Sequence, residues 1–179
     1  MKKYEFTGET KVMAGVTLKR IRALISFGFV AKGEIGGFIE DEKNLSHDGN
    51  AWVAGNAWVT GNARVTENAR VTENARVAGN ARVTGNARVA GNARVTGNAR
   101  VTNTTDYMLI GSIGSRNDFT TFYKDIDGGI SVKCGCFSGT IEEFREKVEE
   151  THGTNTKHAK IYKVAADLAE MQILDQEAE

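Results

Sequence analysis

From Asn50 to Thr102 the apolar and polar positions follow one six-residue pattern without a gap. Asn stands at 50, 56, 62, 68, 74, 80, 86, 92 and 98, Ala follows each, and Val falls two residues after each Ala. Ala and Val therefore alternate with Arg and Thr over four positions before a Gly-Asn or Glu-Asn pair intervenes. This pattern predicts a short strand with Ala and Val facing in, Arg and Thr facing out, and a tight corner. Gly and Asn are expected to serve the corner because both tolerate positive φ. The apolar spacing is wrong for a helix, and the β-branched Val and Thr favour strand. A fixed short period means a stacked repeat.

Three such sides make an eighteen-residue coil, and the arrangement resembles the left-handed parallel β-helix of hexapeptide-repeat proteins. Residues eighteen apart should stack at the strand separation of about 4.8 Å. Three outward columns follow: Arg64, Arg82 and Arg100; Trp52, Arg70 and Arg88; Trp58, Arg76 and Arg94. The Asn residues should form amide ladders from coil to coil. Carrying the register backwards gives a degenerate opening coil over 33–50, about four coils in all, with Leu45 and Ile39 on Ala positions, Ile35 on a Val position and Asn44 on a corner. Asp41 and His47 then occupy inward positions. Either this coil is distorted and they face a cap or solvent, or His47 is a functional group at the base of the prism.

The predicted fold is mainly β in three parts: an N-terminal β cap over 1–32, a left-handed β-helix over 33–103, and a C-terminal α+β domain over 104–179 ordered β-β-β-α-α. In the cap, strands are expected at Lys3 to Phe6, Thr10 to Met13 and within Val16 to Phe29. In the last part, Tyr107 to Ile113, Phe119 to Lys124 and Ile130 to Phe137 read as strands. Thr140 and Glu143 form a capping box for a helix from Ile141 to about His152, with Ile141, Phe144 and Val148 as its apolar stripe. A second helix over about Lys157 to Leu174 should carry Ile161, Val164, Leu168 and Met171 on one face, before an acidic tail.

Charge changes the picture more than bulk composition. The net charge is zero, but the balances are +1 over 1–49, +5 over 50–102 and −6 over 103–179. A basic rod thus precedes an acidic unit. No apolar run is long enough to span a bilayer, Met1 to Phe6 lack an apolar leader segment, and the two Cys do not suggest a disulfide framework. A cytoplasmic, membrane-free protein is expected.

Gly36-Gly37-Phe38-Ile39-Glu40, Asn44-Leu45-Ser46 and Gly49-Asn50-Ala51-Trp52-Val53 lead into the repeats in a way that resembles small proteins encoded by bacteriophages and prophages. Ile110-Gly111-Ser112-Ile113-Gly114-Ser115-Arg116-Asn117-Asp118, with Val132 to Phe137 and Gly139-Thr140, looks like the terminal domain that accompanies such repeats. The resemblance implies the fold and a role in infection, such as inhibiting host defences or scavenging their nucleotide signals. It implies no established activity.

Acyl transfer is the obvious alternative for a hexapeptide β-helix, but fold alone does not establish it. The regular coils carry no His; only His47, His152 and His158 are available as a general base. The Arg columns invite an anion with which guanidinium can pair bidentately, or else they splay into water. Duplex nucleic acid is disfavoured by the zero net charge. The outward Thr series suggests an ice-binding face, but Ala78 and Ala90 interrupt it.

The stronger candidate is Gly111 to Arg116, a Gly/Ser-rich loop suited to offering N–H groups and a guanidinium to phosphate, or merely a turn. It lacks the Gly-Lys-Ser/Thr ending of a P-loop. Ser112, Gly114, Ser115, Arg116, Asp118, Thr120 and Lys133 form the expected ligand set. Cys134 and Cys136, expected on one face of a strand, could join His152 and His158 around zinc, but Cys-x-Cys is a weak signal and packed thiols fit better. No metal or cofactor is expected. The expected protein is a non-enzymatic binding protein for a small phosphate-bearing ligand or a host defence protein, with a structural or assembly role as a further alternative. A homotrimer is expected, with Trp52 and Trp58 as exposed interface aromatics.

Overall fold

The computed structural model describes residues 1–174 and divides into two compact units, with the break after Thr104; the acidic tail lies outside the described residues.

The first unit opens with β1 (Tyr4–Met13) and β2 (Val16–Ala23), an antiparallel hairpin, followed by β3 (Ile35–Ile39). The hairpin turn is Ala14-Gly15, both at positive φ. Where two short strands flanking Thr7-Gly8-Glu9 were expected, β1 runs through, and those three residues form a bulge between Phe6 and Thr10. Nine two-residue strands follow, β4 (Trp52–Val53), β5 (Trp58–Val59), β6 (Arg64–Val65), β7 (Arg70–Val71), β8 (Arg76–Val77), β9 (Arg82–Val83), β10 (Arg88–Val89), β11 (Arg94–Val95) and β12 (Arg100–Val101).

These strands pair in parallel at intervals of three, forming a β-solenoid of about four turns with three sheets. Arg64 sits over Arg82 and Arg100, Trp52 over Arg70 and Arg88, and Trp58 over Arg76 and Arg94, as the period requires. Every inward Val from Val53 to Val101 is fully buried, and the intervening Ala residues are buried with them. Each such Val contributes roughly 1.5–3 kcal/mol of burial free energy. The Asn ladders are present: Asn50 donates to Asn68 at 3.0 Å and Asn68 to Asn86 at 3.2 Å. A second ladder links Asn62, Asn80 and Asn98 at 3.2 Å per step.

At the corners positive φ belongs to the residue before each Asn. Six of these positions from 55 to 97 are Gly, and Glu67 and Glu73 adopt the same conformation at φ +61°. The Asn side chain thus contributes its amide to the ladder while the preceding residue makes the bend.

The opening coil is out of register with the count. Ile39 pairs with Val59 and Leu45 with Val65, twenty residues apart, whereas Trp52 pairs with Arg70 at eighteen. The two extra residues fall between Ser46 and Asn50: Ser46 N–H still donates to Val65 O nineteen residues on, and Asn50 N–H donates to Glu67 O seventeen on. Ile39 and Leu45 therefore fill Val positions, and Ile35 is exposed. Asn44 leaves the corner and is buried, its amide donating to Gly61 O and Ala63 O at 3.1 and 2.8 Å. Asp41 is exposed and caps a short 3-10 turn over Glu42–Asn44.

Gly36 and Gly37 bring β3 against the coils: a Cβ at either would lie 2.6–2.8 Å from atoms of Ile21, Trp52, Val53 or Ala57. β2 adds antiparallel to β3, so the hairpin covers the first edge of one sheet. The cap also covers Trp52, which is only 1% exposed with Phe27 and Tyr4 packed edge-on at 5.5 and 6.4 Å. The expectation that Trp52 is an exposed aromatic is thereby corrected. Trp58 remains half-buried under the Arg76 guanidinium, 5.5 Å from its ring.

The second unit contains β13 (Tyr107–Ile113), β14 (Asp118–Lys124), β15 (Ile130–Cys134) and β16 (Phe137–Thr140) in an antiparallel sheet of that order, then α1 (Ile141–His152) and α2 (Lys157–Leu174). The order is β-β-β-β-α-α: the expected third strand breaks at Gly135-Cys136, where Gly135 takes φ +55° and the chain reverses. Thr140 and Glu143 form the capping box, and Ile141, Phe144 and Val148 are buried as read. The apolar stripe read for α2 shares one face of the helix, and that face is not the one that packs on the core. Ala159, Tyr162, Ala165, Ala166, Ala169 and Ile173 pack on the core, while Val164, Leu168 and Met171 are exposed. Small Ala side chains allow the helix axis to approach the sheet and α1 closely, leaving the larger apolar residues outside.

Candidate functional site

The β13–β14 turn, the β15–β16 turn and the end of α1 meet over the Tyr162 ring and enclose a cleft of about 210 Å³. Its wall includes Ser115, Arg116, Asp118, Cys134, Cys136, Lys147, His152 and Tyr162.

The Gly/Ser-rich loop is a hairpin turn. Asn117 N–H donates to Gly114 O at 3.3 Å, and the Ser112 hydroxyl donates to Asn117 O, so Ser112 closes the turn and does not face the cleft. Gly114 is required here twice, for its φ of +75° and because a Cβ would stand 1.7 Å from the Tyr162 hydroxyl. It thus lets the turn lie directly on that ring. The turn aims Arg116 across the cleft, with Nη1 3.9 Å from Cys136 Sγ. Among the described residues no carboxylate pairs with Arg116.

Tyr162 forms the floor and is almost wholly buried. Burial first, and the Cys134 thiol beside it second, push its hydroxyl pKa up to about 12, so it remains a neutral hydrogen-bonding group. Cys134 Sγ lies 3.8 Å from that hydroxyl and 3.2 Å from Thr120 Oγ1. His152 stacks on Tyr162 at 5.8 Å between ring centroids. Lys147 adds a second cation from α1, shared with Glu150 at 2.7 Å.

Of the seven residues expected to contact ligand, Ser115, Arg116 and Asp118 line this cleft. Gly114 supports it from behind, and Thr120 is buried beneath Cys134. Lys133 is not brought in: strand alternation puts it on the sheet face opposite Cys134 and the buried Val132. Lys147, His152 and Tyr162 were not in the expected ligand set. Their helical positions carry no local motif, so only the tertiary packing of α1 and α2 reveals them.

Cys134 and Cys136 do not share a strand face, because Cys136 is in the turn. Among the described residues no group of three His, Cys, Asp or Glu side chains is placed to hold a metal ion. His47 is structural: its ring stacks on Tyr4 at 4.2 Å and its Nδ1 accepts the Lys3 N–H at 3.1 Å. Burial is the main cause lowering its pKa, so the neutral form is favoured.

Other recesses are chemically weaker candidates. One between α1 and α2 contains Arg145, already neutralised by Asp167 and Glu170 at 2.8 and 2.7 Å. Another, on the solenoid, has Arg70 and Arg88 beside the Asn50–Asn68–Asn86 ladder. There Arg70 lies 5.6 Å from the Phe29 ring, and the wall offers less aromatic enclosure than His152 and Tyr162 provide. Among the described residues no helix is long and apolar enough to cross a membrane. No family model and no curated protein matches this chain.

Proposed function

We propose that this chain is a non-enzymatic binding protein that captures a small phosphate-bearing, nucleotide-like molecule in the cleft beside Arg116. The observation that carries this reading is a guanidinium with no carboxylate partner among the described residues, facing a recess whose floor and wall are the rings of Tyr162 and His152. Arg offers a planar fork to phosphate oxygens, Lys147 adds charge, and stacked rings suit a base or another flat group. Asp118 at the rim opposes a second highly charged group and suits a sugar hydroxyl or base N–H.

The repeats and the Gly36 to Val53 segment, which resemble phage-encoded proteins, supply the setting. The captured molecule would be a nucleotide signal of host defence, and the protein would act in the host cytoplasm. The solenoid would serve as a rigid carrier, its His47 being engaged in the cap.

Isothermal titration with a panel of mono-, di- and cyclic nucleotides tests the proposal. Binding by the wild type that Arg116→Ala abolishes, with the far-UV spectrum unchanged, supports it. Equal retention by Arg116→Ala removes this cleft from the account.

A further inference from the structure

Arg70 and Arg88 project from adjacent coils in strict register, so their side chains leave the sheet about 4.8 Å apart. Two like charges at that spacing repel one another. Among the described residues neither guanidinium meets a carboxylate, whereas Arg20, Arg22 and Arg145 each do. Glu67, beside Asn68 in the chain, directs its carboxylate to the Gly85 N–H at 2.8 Å.

The N-terminal unit walls this column. Residues 27–30 form a tight turn, closed by Phe27 N–H donating to Val30 O at 3.0 Å and Val30 N–H to Phe27 O at 2.8 Å. Gly28, at φ +50°, lets the turn lie on Asn50, whose Cβ would stand 3.2 Å from a Cβ at 28. The turn carries Phe29 out to 82% exposure and sets its ring 5.6 Å from the Arg70 guanidinium. A cation–π contact of this kind holds the guanidinium by its face and leaves its N–H edge for an acceptor. Beside the column the amide ladder runs from Asn50 through Asn68 to Asn86. It stops there because position 104, eighteen residues on, is Thr, and the Asn86 amide donates to no side chain among the described residues. These Asn and Arg residues enclose, with Phe29 and Val30, a recess of about 330 Å³.

Two guanidinium cations and an unspent amide donor, without a carboxylate to neutralise them, suit a dianion. A phosphate group supplies both charges and at least three acceptor oxygens, so both guanidinia and the amide can donate to it together. A single carboxylate would neutralise only one of the two cations. We propose that this recess is a second anion site, binding the phosphate dianion either free or as the end of a monoester. It lies wholly in the first unit and shares no residue with the Arg116 cleft, so it stands or falls independently of capture there.

Isothermal titration of full-length Arg116→Ala with inorganic phosphate at about pH 8, where the group carries close to two charges, isolates this site. A dissociation constant of roughly 0.1–1 mM is expected. Arg88 is exposed, so Arg88→Gln leaves the coil intact and should weaken binding about tenfold. Arg70→Gln with Arg88→Gln should abolish it. Arg82→Gln, at the same spacing in the neighbouring column, should leave it unchanged. Phenyl phosphate identifies the form bound: tighter binding that Phe29→Ala removes assigns the site to a monoester bearing a flat group, and equal affinity assigns it to free phosphate. Absence of binding by both compounds overturns the proposal, as does binding that survives the double variant. Equal weakening by Arg82→Gln and Arg88→Gln also overturns it, because phosphate would then follow the charge of the solenoid as a whole.

Discussion

Gly114 lies so close to Tyr162 that a Cβ on residue 114 would stand 1.7 Å from the phenolic oxygen and 2.3 Å from the ring carbon bearing it. The β13–β14 turn and α2 are thus in contact through a position where only glycine fits. Gly114→Ala should cost at least about 2 kcal/mol, from positive φ and displacement of a buried ring. Chemical denaturation followed by tyrosine fluorescence checks this, and a loss below about 0.5 kcal/mol would show that the ring moves aside freely.

Glu67 and Glu73 hold corner positions at φ +61° that glycine fills elsewhere. A non-glycine residue there costs about 1–2 kcal/mol, offset by roughly 0.5–1 kcal/mol of extra entropy that glycine loses on folding. Glu73→Gly should therefore stabilise the solenoid by about 0.5–1 kcal/mol. Glu67→Gly should yield less, because the Glu67 carboxylate accepts the Gly85 N–H at 2.8 Å. Denaturant midpoints of the two variants decide, and equal gains would mean that this bond contributes nothing.

Lys3 is buried, with Nζ donating to Ala51 O at 2.9 Å and lying 4.7 Å from the Phe27 ring. Desolvation lowers its pKa from 10.5 to about 8, against a smaller opposing pull from Asp48. The unfolded chain therefore holds more protons between those values, and stability should rise with pH there by up to about 1.4 kcal/mol per unit. The effect is clearest from pH 8 to below 10, where Tyr4, whose hydroxyl burial pushes upward, begins to favour unfolding. Urea titrations at pH 8.0 and 9.5 should show the rise in the wild type and its loss in Lys3→Met. A flat wild-type profile would mean that water reaches the ammonium.

The solenoid was legible because its signal is redundant: nine copies of one alternation fix which side chains face in, and the columns and ladders follow from the period. The opening coil was misread by two residues because Ile39 and Leu45 suit either an Ala or a Val position in a prism. The insertion near Asp48 therefore left no hydrophobic trace. Trp52 was misread for a related reason, since its outward position is correct but the N-terminal hairpin and Phe27 cover it. In α2 the bulky residues share the one face their spacing predicts, while the Ala residues hold the core side. Helix spacing identifies stripes but not which stripe meets the sheet. At the cleft, the loop bearing Arg116 was legible from Gly and Ser, whereas Tyr162 and His152 arrive from distant helix positions.

The central claim is that the Arg116 cleft holds a small phosphate-bearing molecule. Native mass spectrometry of protein purified from a bacterial host, followed by denaturation and identification of whatever is released, tests it most directly. The account predicts a stoichiometric phosphorylated metabolite on the wild type that is missing from Arg116→Ala of the same fold. A phosphorylated metabolite retained in equal amount by both proteins, or no binding of any nucleotide supplied in excess, would contradict it.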